Sequence, residues 1–90
     1  METMHKEQKE WIERNPLRKY RKEHKMTIMG TAAILGCNFM SVQLWETGAN
    51  YPRQYLDKIG ELIGDPNIEE TWKKWYSERP KITGKEDGNE

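Results

Sequence analysis

The stretch from Met26 to Pro52 is punctuated so closely that it has room for two short helices and a turn between them. Thr27 is a helix N-cap, because its hydroxyl accepts an N–H from the first turn. The helix it opens runs from Ile28 to Leu35, with a local weakness of about 1 kcal/mol at Gly30 relative to alanine. Ala32 is small where a second helix crosses closely. Gly36 ends the helix in the positive-φ conformation that glycine adopts at little cost. Asn38 then caps a second helix, Phe39 to about Glu46, which Gly48 terminates. Val42 and Trp45 fall on the core side of that helix with Glu46 beside them. Phe39, Met40, Gln43 and Thr47 fall on the other side.

The rest of the chain carries similar signals. Residues 1–14 form a polar helix or arm whose main apolar content is Trp11 and Ile12. Asn15-Pro16 restarts the chain as an N-cap followed by a first-turn proline. The helix from Pro16 to about Lys25 turns Leu17, Tyr20 and Arg21 inward. Pro52 opens a fourth helix of the body, to about Ile63, with Tyr55, Leu56, Ile59, Leu62 and Ile63 as its apolar stripe. Gly64-Asp65-Pro66-Asn67 is a turn. Asn67 caps a last helix, Ile68 to about Glu78, in which Ile68, Trp72, Trp75 and Tyr76 share one face. These signals divide the chain into 1–14, a body at 15–64, an amphipathic helix at 65–79 that packs on the body or dimerises, and a disordered tail at 80–90. With no strand signal of useful length, the class is all-α, in a compact array of five or six helices.

Composition narrows the function classes. Fifteen basic and fifteen acidic residues give a net charge of zero, so no global field draws the chain to DNA or to anionic membrane. The charge is unevenly placed. Arg14, Arg18, Lys19, Arg21, Lys22 and Lys25 stand against Glu23 alone, which gives that segment +5. The single cysteine, Cys37, excludes an internal disulfide and sits at an apolar position, where a core role is expected. His5 and His24 are isolated, so no metal site is expected. No signal peptide and no membrane-spanning apolar run are visible, and the expectation is a soluble cytoplasmic protein. No phosphate-cradling glycine loop, supported Cys/His or Ser/His pair, or acidic cluster appears. Neither an enzyme nor a cofactor is expected.

Leu17 to Gly64 resembles the Cro/CI-type, or XRE-like, helix-turn-helix family of phage repressors and bacterial transcriptional regulators. The residues that carry the resemblance are Ala32, Leu35-Gly36-Cys37-Asn38, Val42, Trp45-Glu46-Thr47-Gly48 and Pro52. The run Pro52-Arg53-Gln54-Tyr55-Leu56-Asp57-Lys58-Ile59 also looks like the fourth-helix start of one branch of that family. The resemblance implies a lambda-repressor-like domain that binds double-stranded DNA as a homodimer. It also implies a sequence-specific transcriptional regulator, phage- or mobile-element-encoded, with a second regulator protein as a further partner.

By position, the resemblance makes the helix after Asn38 the recognition helix, lying in the major groove. Phe39, Met40 and Leu44 match base-contacting positions, with Ser41, Gln43 and Thr47 nearby. Thr27, Asn38, Asn50 and Arg53 match positions that hold phosphates through hydroxyl, amide, backbone N–H or guanidinium groups. Arg21 and Glu46 match a structural pair. The departures point elsewhere. Ile28 stands where many members carry a phosphate-gripping glutamine. Phe39, Met40 and Leu44 are apolar where bidentate side chains usually read bases. Gln43 alone has an amide suited to adenine. The alternative is that the same fold serves as a protein-interaction module, an antirepressor or inhibitor, through Phe39, Met40 and Leu44.

Overall fold

A computed structural model of the chain describes residues 2–80. Six helices make up the described residues, with no strand among them: α1 (Glu2–Glu13), α2 (Pro16–Glu23), α3 (Ile28–Leu35), α4 (Phe39–Glu46), α5 (Leu56–Ile63) and α6 (Ile68–Ser77). No single one of these helices is long and apolar enough to cross a membrane. The tail expected at 80–90 lies, from residue 81 on, outside the described residues.

Capping chemistry sets most of the boundaries. The Asn15 side chain accepts from Arg18 N at 2.9 Å, Thr27 from Gly30 N at 2.9 Å, and Asn38 from Met40 N at 2.7 Å. Each bond satisfies one of the donors that a helix start leaves free. Gly36, at φ 75°, closes α3, and its N–H and that of Cys37 both reach the Ala32 carbonyl. Three residues therefore suffice to turn the chain, and α3 and α4 meet at a bend of 107°.

Two expected helix starts fall elsewhere. Pro52 does not open α5. Tyr55 N donates to Pro52 O at 3.1 Å, an i to i+3 turn, and the first α-type bond is Ile59 N to Tyr55 O at 2.9 Å. The helix starts at Leu56, and Tyr55, left outside it, packs its ring on Trp45 at a centroid distance of 5.1 Å. Nor does the Asn67 side chain cap α6. Asp65 does that work from two residues back, with Oδ1 accepting from Asn67 N at 2.8 Å and Oδ2 from the Thr71 hydroxyl at 2.6 Å. A carboxylate there also suits the positive end of the helix dipole.

One core joins all six helices. Leu17, Ala32, Leu35, Val42, Trp45, Leu56 and Ile59 are buried in the middle of the chain, and Trp11, Ile68, Trp72 and Trp75 extend that core into α1 and α6. Helix α1 is therefore packed on the body through Trp11. Trp11 is fully buried and lies flat on Trp75, with ring centroids 4.1 Å apart and planes 2° from parallel. The two indoles also exchange hydrogen bonds: Trp11 Nε1 donates to Trp75 O and Trp75 Nε1 to Trp11 O, both at 2.7 Å. Each accepting carbonyl lies in the last turn of its helix and also accepts a backbone N–H, from Arg14 and Glu78 respectively, both at 3.1 Å. Cys37, expected in the core, is only half-buried at its edge, and partial burial raises its thiol pKa.

Candidate nucleic-acid interface

The outer side of α4 exposes two large apolar side chains. Phe39 is 43% and Met40 50% exposed. Gln43 and Thr47 are exposed as well, while Ser41 and Leu44 are half-buried. Leu44 thus corrects the expectation of an outward-facing cluster of three. It lines a shallow hollow with Met40, Gln43 and Thr47 from α4 and its C-cap, Ile28 from α3 and Arg18 from α2. Arg18 is the residue that sequence reading missed here. Its i, i+3 step from Asn15 on α2 was the available signal, but its direction depends on how α2 lies across α4. Met29 and Ile34, 70% and 61% exposed, were also passed over. Both lie on the side of α3 away from Ala32 and Leu35.

The capping residues are exposed with part of their hydrogen-bonding capacity in use. Thr27 Oγ1 and Asn38 Oδ1 accept their cap bonds, which leaves the hydroxyl proton of Thr27 and the NH2 of Asn38 facing solvent. The Thr47 hydroxyl instead donates inward to Gln43 O at 3.0 Å. The Asn50 backbone N–H is likewise committed, donating to Leu44 O at 3.1 Å beside Ala49 N at 2.9 Å. Only the exposed side-chain amide of Asn50 faces outward. Arg53 is not brought to the α4 hollow. It lines a separate one with Tyr51, Asp57, Lys73 and Tyr76, between the Pro52 turn and α6.

Behind the α4 surface, Glu46 is 1% exposed and held by two cations from α2. Arg21 grips it with two prongs, Nε to Oε2 at 2.8 Å and Nη2 to Oε1 at 2.9 Å, and Arg18 Nη1 reaches Oε1 at 3.5 Å. The remaining Arg21 Nη1 donates to Met26 O at 3.1 Å. This geometry satisfies the buried carboxylate on both oxygens, as a desolvated charge requires. Arg18 also binds Glu13 at 2.9 Å, and Lys22 meets the same carboxylate at 3.2 Å. The Arg18 guanidinium holds Glu13 below its ordinary pKa and is itself raised by that partner.

These pairs revise the charge reading. Glu13 and Glu46, both outside the basic segment, engage three of its six cations, and Arg14, Lys19 and Lys25 have no ion pair among the described residues. The positive patch available to a ligand is smaller than the +5 counted along the chain.

The C-terminal end of α4 is held from the opposite side. Gly48 follows the C-cap at φ 82°, and a side chain there would run into the Trp11 ring. Glycine is required twice over, for the conformation and for the space. The Arg79 guanidinium donates to the Gly48 carbonyl and lies 5.2 Å from the Trp11 ring centroid and 5.1 Å from that of Tyr76. No group of three or more His, Cys, Asp or Glu able to hold a metal ion occurs among the described residues. No protein-family model, no curated protein and no solved structure matches this chain.

Proposed function

We propose that the chain is a sequence-specific double-stranded-DNA-binding transcriptional regulator of Cro/CI type, with α3 and α4 as a helix-turn-helix and α4 as the recognition helix. The observation that carries this reading is the pairing of α3 and α4 across three residues at 107°. That angle falls in the range of about 90–120° used by helices that deliver a second helix to the major groove. The two capped helix starts, at Thr27 and Asn38, are exposed and suit phosphate contacts. Gln43 presents an amide for adenine, while Phe39 and Met40 are suited to thymine methyls. One α4 spans too few base pairs for specificity, so the protein acts as a homodimer on half-sites about 34 Å apart.

Titration against random and selected duplexes at two salt concentrations tests the reading. Binding that weakens steeply with salt is expected, because neutralised phosphates release counterions. No binding even at low salt sinks it.

A second reading has its own support. Phe39 and Met40 are exposed apolar side chains of α4, Met40 shares a hollow with Ile28 and Leu44, and three of the six cations of the Arg14–Lys25 segment are already paired. Such a surface suits a protein partner, as in an inhibitor of another regulator. A Phe39→Ala variant that keeps DNA affinity but loses a protein complex favours this alternative.

A further inference from the structure

Two arginines hold the C-terminal end of α4 from opposite sides. Arg21 on α2 draws Glu46, the last residue of α4, toward the body. Two residues later, Arg79 takes the Gly48 carbonyl from beyond the end of α6. The α2 contact is a buried ion pair. The α6 contact is built differently: the guanidinium sits over two aromatic rings, and no carboxylate partners it among the described residues. Its attachment point is itself fixed, because Trp11 is locked against Trp75 by stacking and by two reciprocal hydrogen bonds. Gly48 is the hub of the turn through which Ala49 and Asn50 return their N–H groups to Leu44 O. Whatever sets Gly48 therefore sets both the axis of α4 at its exit and the place of the Asn50 amide.

We propose that Arg79 is a positioning residue for DNA binding, coupling the α1–α6 aromatic pair to the attitude of α4 through Gly48. This rests on the DNA-binding reading above. Arg79 touches no base in this role. It acts by keeping the α4 exit and the following turn in one arrangement before the duplex arrives, so that binding does not have to order them. The cation over the rings and the hydrogen bond to the carbonyl are both lost in Arg79→Gln. Arg79 is an exposed residue, so the variant keeps its core and its helix content.

The test uses the full chain with and without Arg79→Gln. Amide hydrogen exchange at Ala49 and Asn50 is expected to quicken about tenfold, the equivalent of one charge-assisted hydrogen bond. Exchange at Gly36 and Cys37 in the α3–α4 turn stays the same. Affinity for a selected duplex falls about tenfold with the same dependence on salt, because no phosphate contact is removed. A salt slope reduced by about one signals a direct phosphate contact and overturns the positioning role. Unchanged exchange at Ala49 and Asn50, or equal duplex affinity of the two proteins, also overturns it. If the unsubstituted chain binds no duplex at any salt, the DNA-binding reading itself falls. That failure is distinct from the preceding ones, in which the unsubstituted chain binds.

Discussion

The α3–α4 pair and the α1–α6 pair are built on different physics. The first is a local structure of short helices, defined by caps and by one left-handed glycine, whose outer surface is open. The second joins residues 64 apart in sequence by two stacked indoles and closes a surface completely. Where α3–α4 leaves Phe39, Met40, Met29 and Ile34 exposed, α1–α6 buries Trp11, Trp72 and Trp75. A chain this small buries a limited fraction of its surface. Both pairs send apolar residues into the one core, but α1–α6 contributes its largest side chains while α3–α4 also keeps large apolar side chains outside. Gly48 is where the two meet.

The contrast is broken most severely at Trp11. Trp11→Ala removes the stack, the reciprocal hydrogen bonds and the surface under Arg79, at a cost of about 4 kcal/mol. Urea denaturation followed by far-ultraviolet circular dichroism measures it. A loss below about 1 kcal/mol makes the aromatic pair an ornament of the fold and removes the basis for the comparison.

Glu46→Ala strikes the other region. It leaves Arg21 buried beside no carboxylate and lowers stability by about 3 kcal/mol. The same denaturation experiment on the double variant with Arg21→Met should recover much of that loss, because the uncompensated charge is gone. Equal destabilisation in the single and double variants contradicts the paired-charge account.

Gln43→Ala sharpens the comparison from the functional side. Stability stays within about 0.5 kcal/mol, since the residue is exposed. On the proposed DNA-binding reading, affinity for a selected duplex is expected to drop by about 2 kcal/mol, with relaxed preference at one adenine position. Competition with single-base variants of that duplex reads the effect.

The smallest effect is electrostatic. Glu13 is held below its ordinary pKa of 4.5 by the Arg18 guanidinium first and Lys22 after it. A carboxylate whose folded pKa is depressed contributes its stability above the unfolded value and loses it as pH falls through the folded one. The contribution is therefore complete above about pH 4.5 and declines below it. Glu13 is about half exposed, so solvent screening keeps the effect small. In Glu13→Gln this part of the acid-side decline disappears, which denaturation midpoints across the acid range detect.

The caps were legible in the sequence because each is a local event. Asn15, Thr27 and Asn38 each bond within three residues, and Gly36 bonds within its own turn. The apolar face of α6 was legible for the same reason, as a periodic pattern. The start of α5 was not, because Pro52 is compatible with both a helix and a tight turn, and the Tyr55–Trp45 contact lies ten residues along the chain. The resemblance grouped Leu44 with outward Phe39 and Met40, but it is half-buried and shares a hollow with Ile28 of α3. The charge count overstated the free patch because the partners are distant: Glu46 lies 25 residues from Arg21, a pair that the resemblance supplied and the spacing alone does not report. Trp11 read as part of the small apolar content of a polar helix, and Arg79 carried no local signal of its role. Only the packing of the two ends of the fold joins them at Gly48.

The indole pair has a kinetic consequence. A contact that closes nearly the whole described chain carries a large loop-closure entropy, so it forms after the local helices are in place. Interactions absent from the folding transition state slow unfolding without speeding folding. The Trp11–Trp75 lock thus governs how long the folded domain persists once made. The speed with which α3 and α4 first assemble depends on the short-range caps.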